Sequence, residues 1–121
     1  MKRIVLGAAL LVLMLAPFTC GDGPKRIQWD DAKNHVGEHV TVVGPVVSYH
    51  ETKTGGHVTL NIGKDYPSTD RFTVFIRDKN AAWVPSDYYV GKTIAVTGTV
   101  KLYAGVPEIG VTEESQIVVE K

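Results

Sequence analysis

Apolar and polar residues alternate one for one along several stretches of this chain, and that period predicts strands. Over residues 91–103, Ile94, Val96, Val100 and Leu102 alternate with Thr93, Ala95, Thr97, Thr99 and Lys101 around Gly98. A long half-buried strand has this period, and a glycine in its middle marks a bend. Residues 103–107, Y-A-G-V-P, supply a turn, and Ile109 and Val111 start a second strand, so residues 91–114 read as a bent hairpin. Residues 39–49, H-V-T-V-V-G-P-V-V-S-Y, predict another long strand, broken at Gly44 and Pro45. Proline cannot donate to a ladder, so a bulge or an edge position is required there. Residues 57–63 place Val58, Leu60 and Ile62 on one face. Residues 71–77 place Phe72, Val74 and Ile76 on one face and Arg71, Thr73, Phe75 and Arg77 on the other.

Between these runs the pattern changes. Residues 27–35 read as a helical turn with Asp30 and Asp31 near its start, where the helix dipole favours negative charge. Residues 79–89 read as a short helical connection limited by Pro85, with Trp83 expected to plug one end of the core beside Tyr88 or Tyr89. Residues 116–120 close the chain as a strand end. Three strands, a short helical connection and two more strands, preceded by a helical turn, is the order of a mainly all-β, five-stranded Greek-key barrel, the OB-fold. A β-sandwich is the second choice, because it usually needs seven or more shorter strands.

The 121 residues suit one domain. Lys2 and Arg3 followed by an apolar run over residues 4–15 form a secretory leader by pattern, too short for a membrane span of about 20 residues. The single cysteine, Cys20, follows it, which excludes an internal disulfide and points to lipidation. Pro17 and Phe18 fit a lipidation signal poorly, and cleavage after Gly21 is the competing option. The division expected is a signal peptide over 1–19, a polar tether over 20–26 and a barrel domain over 27–121. The expected setting is the periplasm or the membrane-anchored face of the cell envelope. Lys and Arg number 13 and Asp and Glu 13; without Lys2 and Arg3 the balance is 11 against 13, about −2. Any nucleic-acid role must therefore come from local clustering of cations.

The segments V-G-E-H-V-T-V-V-G-P-V, L-N-I-G-K-D-Y-P, F-T-V-F-I-R and G-K-T-I-A-V-T-G-T-V-K-L-Y-A-G-V-P-E-I resemble small exported bacterial OB-fold proteins of the nucleic-acid-binding class. That class includes tRNA-anticodon and helicase-type OB domains. The resemblance covers residues 32–119 and implies the fold more than any activity.

An OB barrel binds on the outer face of its second and third strands and on the flanking loops. Mapped here, that face offers His57, Thr59, Asn61, Arg71, Thr73, Phe75 and Arg77. The loops offer Tyr49, His50, Lys53, Lys64, Tyr66 and Tyr103. Phe75 between Arg71 and Arg77 is the constellation a single-strand binder needs, since bases stack on aromatics at about 1 to 3 kcal/mol each while cations follow phosphates. The arginines have an alternative in pairing with Asp70 and Asp78. Two readings follow: a monomeric, exported module for single-stranded nucleic acid, or an envelope-side adaptor for a protein or cell-wall component with no nucleic-acid role.

His35, Glu38 and His39 match H-x-x-E-H, a zinc-peptidase pattern that needs both histidines on one helix face. Gly37 interrupts it and His39 begins a strand, so a chance match is expected. His50 and His57 bracket a loop without a carboxylate partner and are expected to be solvated. No nucleophile or phosphate-loop motif is present, so neither catalysis, a metal nor a cofactor is expected.

Overall fold

The alternating runs do form strands, and two of them bend where glycine was expected to bend them. The computed structural model describes residues 23–52, 56–77 and 87–120. Its strands are β1 (Lys25–Gln28), β2 (His39–Glu51), β3 (Val58–Ile62), β4 (Phe72–Ile76), β5 (Thr93–Tyr103), β6 (Val106–Val111) and β7 (Ile117–Glu120). Strands β2, β3 and β4 form an antiparallel meander, β4 pairs in parallel with β6, β6 pairs with β5, and β5 returns to β2. This ring is the closed Greek-key barrel of the OB-fold.

Each long strand serves two neighbours, which is why each needs a bend. Strand β2 pairs with β5 over residues 39–45 and with β3 over residues 46–51, with a bulge between Val46 and Ser48 just past Pro45. Strand β5 gives residues 93–99 to β2 and residues 100–103 to β6. Gly98 marks the change: a β-carbon there would lie 2.5 Å from Ile109 Cγ2. The hairpin joining β5 to β6 turns on Ala104 and Gly105, both at positive φ (51° and 82°). Two positive dihedrals in a two-residue loop match the natural twist of paired strands.

Side chains alternating inward fill the barrel. Phe72, Leu60, Ile62, Ile76, Ile94 and Ile109 are the largest of those fully buried. Each contributes about 1.5 to 3 kcal/mol by leaving water. Leu102 departs from the expected alternation and is 55% exposed. It pairs with Pro107 near the hairpin tip, where no third strand continues the wall.

The helical turn read over residues 27–35 divides differently. Lys25 to Gln28 pair in parallel with residues 40–43 of β2, and a 3-10 helix follows at Trp29–Asn34. Lys25 and Arg26, assigned to the tether from sequence, thus lie in a strand. The terminal strand β7 pairs with β5, and the outer strands β1 and β7 are bridged by Arg26, whose guanidinium donates to both carboxylate oxygens of Glu120 at 2.9 and 3.0 Å.

Trp29 covers one end of the core. It packs on the buried cluster, and β-carbons at Gly44 and Gly63 would collide with its side chain. The helical connection and Trp83 lie outside the described residues except for 87–89, where Tyr89 is buried and Tyr88 exposed. Residues 1–19, Cys20 and Lys53 also lie outside them. Among the described residues no helix is long and apolar enough to cross a membrane.

Candidate nucleic-acid interface

Register decides which outward side chains meet. Cross-strand pairing aligns Ser48, Asn61, Thr73, Glu108 and Lys101 in one row across β2, β3, β4, β6 and β5. The next row holds His50, Thr59, Phe75 and Gly110. Phe75 therefore has no side chain beside it on β6, while the His57 ring lies 5.4 Å from its own.

Two adjoining clefts open over these rows. One, of about 730 Å³, is lined by Ser48, Tyr49, His50, Thr59, Asn61, Asp65, Tyr66 and Arg71. The other, of about 470 Å³, shares Thr59, Tyr66 and Arg71 and adds Thr73, Phe75, Arg77, Lys101, Tyr103 and Glu108 among its walls. Tyr66, from the loop between β3 and β4, and Tyr103, at the end of β5, are 71% and 70% exposed and both line the second cleft.

The first cleft is tied by a hydrogen-bond relay. Arg71 Nε donates to Asn61 Oδ1 at 2.9 Å, Asn61 Nδ2 donates to Ser48 Oγ at 2.8 Å, and Ser48 donates to Asp65 Oδ1 at 2.6 Å. The Ser48 hydroxyl and then the Tyr66 N–H hold the Asp65 carboxyl below its ordinary range. Arg71 also donates through Nη1 to the Ser68 carbonyl at 2.7 Å, and its guanidinium sits 5.1 Å from the Tyr66 ring centre. The relay fixes the loop between β3 and β4 to the barrel and sets Tyr66 beside a cation. That loop contains a cis Tyr66–Pro67 peptide bond.

Most of the expected face assembles, with some changes. Tyr49 and His50 belong to β2 and Tyr103 to β5 rather than to loops, and Tyr49 leans on the core and donates to Glu51 Oε1 at 2.9 Å. Arg71 does not pair with Asp70; that carboxylate lies 3.9 Å from Lys64, which is exposed and lines neither cleft. Asn61 and Thr73 are buried to 4% exposure, so they serve as floor rather than as outward contacts. Asp78 lies outside the described residues, and Arg77 is exposed at the cleft wall.

Sequence reasoning missed Glu108. Its alternation within V-P-E-I-G-V points it outward, but only the parallel pairing of β4 with β6 brings it beside Thr73. It is 6% exposed and lines the second cleft. Thr73 Oγ1 lies 3.4 Å from its Oε1 and 3.3 Å from the Pro107 carbonyl, so one proton is shared between them. Lys101 Nζ stands 3.8 Å from Oε2.

Burial raises the Glu108 pKa, against the opposing pull of Lys101 and Thr73. A carboxyl with a raised folded pKa contributes most below its unfolded pKa and loses that contribution as pH rises through the folded value. Its charged form is therefore the costlier one in the fold. Glu108→Gln is accordingly expected to leave the urea midpoint at pH 7 unchanged or higher, and a clear fall in the midpoint would contradict this balance.

The H-x-x-E-H match is structural. His35 Nδ1 lies 2.8 Å from Glu38 Oε1 and Nε2 lies 3.0 Å from Asp31 Oδ2, whereas His39 starts β2. No group of three or more metal-ligating side chains occurs among the described residues. The Glu38 contact, then Asp31, raises the His35 pKa against the opposing effect of burial. The imidazolium's stabilisation is present below about pH 6.5 and is lost as pH rises through the raised folded pKa. Urea midpoints measured at pH 6 and pH 9 are expected to fall for the natural protein and to fall less for His35→Gln; equal changes would contradict the clamp.

Barrel closure, bent strands and an open outer face define an OB-fold protein with a cleft on the outer face of β3, β4 and β6. No protein-family model matches the chain, and no curated protein matches it. Solved structures do match. A protein described as an aspartyl-tRNA synthetase from Leishmania major Friedlin superposes with a TM-score of 0.56 at 11% identity over 86% of this chain. An aspartyl-tRNA synthetase from Entamoeba histolytica gives 0.52 at 18% over 81%. RecG bound to a three-way DNA junction gives 0.54 at 24% over 79%. The chain spans 22%, 22% and 12% of those three proteins. At these identities the likeness establishes the fold.

Proposed function

We propose that the outer face of β3, β4 and β6 binds short single-stranded nucleic acid, without catalysis. One observation carries this reading: two exposed tyrosines, Tyr66 from the loop between β3 and β4 and Tyr103 from the end of β5, line the same cleft as Phe75, Arg71, Arg77 and Lys101. Flat rings offer stacking platforms to unpaired bases, and nearby cations track the phosphates. The matched RecG structure contains DNA, and two other matches are described as tRNA synthetases, which is consistent with this use of the fold.

The cations are few, so affinity rests on stacking with a modest electrostatic share. Two or three phosphate contacts give a salt slope of about −1.4 to −2.1, or about a tenfold loss between 50 and 200 mM salt. Fluorescence anisotropy with labelled DNA and RNA pentanucleotides tests this. Saturable binding at low salt that weakens by about that factor supports the proposal. No binding at low salt overturns it and leaves the envelope-side adaptor as the better account.

The proposal includes export, with residues 1–19 as the leader and Cys20 as the point of lipid attachment. Mass spectrometry of the mature N-terminus is expected to show an acylated Cys20. A free end at Asp22 overturns the anchor while leaving the binding face untouched.

A further inference from the structure

We propose that Glu108 and Lys101 make the cleft selective for guanine, a refinement that rests on the oligonucleotide reading above. A carboxylate is an unexpected neighbour for phosphates, because like charges repel at short range. Glu108 nonetheless stands in the middle of the face, walled by Tyr103, Thr73 and Phe75 and placed opposite Lys101 by the β5–β6 pairing. A carboxylate only accepts hydrogen bonds and an ammonium only donates them. Together they present one donor group and two acceptor oxygens to whatever enters.

Unpaired bases held on single-strand platforms expose their Watson–Crick and Hoogsteen edges, and the Watson–Crick edge is the one that separates all the bases here. Guanine presents O6, N1–H and N2–H₂ in that order, one acceptor followed by two donors. Lys101 Nζ lies on the Oε2 side of the carboxylate, and Thr73 lies on the Oε1 side. The run ammonium, Oε2, Oε1 is therefore the complement of the guanine edge. Adenine and cytosine each offer one amino donor followed by a ring acceptor, which would face a carboxylate oxygen. Uracil and thymine satisfy Lys101 and one oxygen but set a carbonyl against the other. Burial of Glu108 sharpens the choice, since a partner with the wrong polarity leaves a desolvated charge unsatisfied.

Anisotropy titrations of the purified natural protein with labelled TTGTT, TTITT, TTATT, TTCTT and TTTTT test the inference, I being inosine, which keeps O6 and N1–H but lacks the N2 amino group. The guanine strand is expected to bind about tenfold more tightly than the adenine and cytosine strands, within the range one good bidentate pair supplies. The inosine strand is expected to fall between. In Glu108→Gln the ratio of guanine to adenine affinity is expected to approach one. Equal affinity for all five strands overturns the selectivity while leaving oligonucleotide binding intact. A Glu108→Gln variant that keeps the guanine preference also overturns it. Failure of every strand to bind overturns the oligonucleotide reading, and the selectivity falls with it. The inosine comparison needs no substitution, so the inference stays testable whether or not the variant folds.

Discussion

Gly63→Ala is expected to destabilise the protein by about 2 to 6 kcal/mol, a large share of the roughly 5 to 15 kcal/mol that holds a domain folded. Two separate costs add at this position. Its φ is +80°, a conformation that L side chains rarely adopt, and a β-carbon there would overlap the six-membered ring of Trp29. Left-handed backbone costs an ordinary residue about 1 to 3 kcal/mol, and forcing an extra carbon into packed surroundings costs about as much again. Two further variants separate these costs. Gly91 has φ +86° with nothing within 4 Å of an added β-carbon, so Gly91→Ala measures the dihedral cost alone. Gly44 lies outside that range of φ, but its added β-carbon would sit 2.6 Å from Ile62 Cγ2 and 2.7 Å from Trp29 Cδ1, so Gly44→Ala measures the collision. Urea unfolding should rank Gly63→Ala as the most damaging of the three. If Gly63→Ala matches Gly91→Ala, Trp29 does not close the barrel end as described.

Tyr66→Ala and Tyr103→Ala are each expected to weaken oligonucleotide binding by about 1 to 3 kcal/mol, fivefold to more than a hundredfold, without lowering stability. Both rings are mostly exposed, so their removal takes little apolar surface from the core. Arg71→Ala should behave differently. Its guanidinium holds Asn61 and the Ser68 carbonyl, so its loss should lower both the urea midpoint and the affinity. Arg77 is the cleaner probe of phosphate attraction, and its removal should flatten the salt dependence by about 0.7 in slope. Tyrosine variants that bind as the natural protein does would remove the stacking platforms from the account.

The strands were legible because a period of two is a property of the chain itself. Val58, Leu60, Ile62, Phe72, Val74 and Ile76 face inward as their alternation requires, and Thr59, Thr73 and Phe75 consequently share the outer surface. Elements fixed by tertiary pairing were not legible. Strand β1 has four residues with only Ile27 buried, and its extended form comes from parallel pairing with β2. The dipole argument applied to Asp30 and Asp31 does find a helix, but a short 3-10 one beginning at Trp29.

The site divides in the same way. Parity put Arg71, Phe75 and Arg77 on the correct face, because each position follows from its own strand. It could not show that Arg71 would be engaged by Asn61 and Ser68, since those contacts depend on how the β3–β4 loop folds back. Glu108 escaped notice because its neighbours Thr73 and Lys101 come from two other strands, 35 and 7 residues away in the chain. A carboxylate placed outward on the fifth strand of a drawn Greek key would have been the signal to look for. Trp29 was hidden likewise: its partners Gly44 and Gly63 lie far along the chain, and only the folded barrel brings all three together.

In the proposed mode of binding, a single strand lies across the outer face of β3, β4 and β6. Backbone amide chemical shifts recorded while a short single-stranded oligonucleotide is added test it most directly. The largest changes are expected to cluster at Thr59, Thr73, Phe75, Arg77, Lys101 and Tyr103. Changes confined to β1 and β7 on the other part of the barrel, or no changes at low salt, would contradict it.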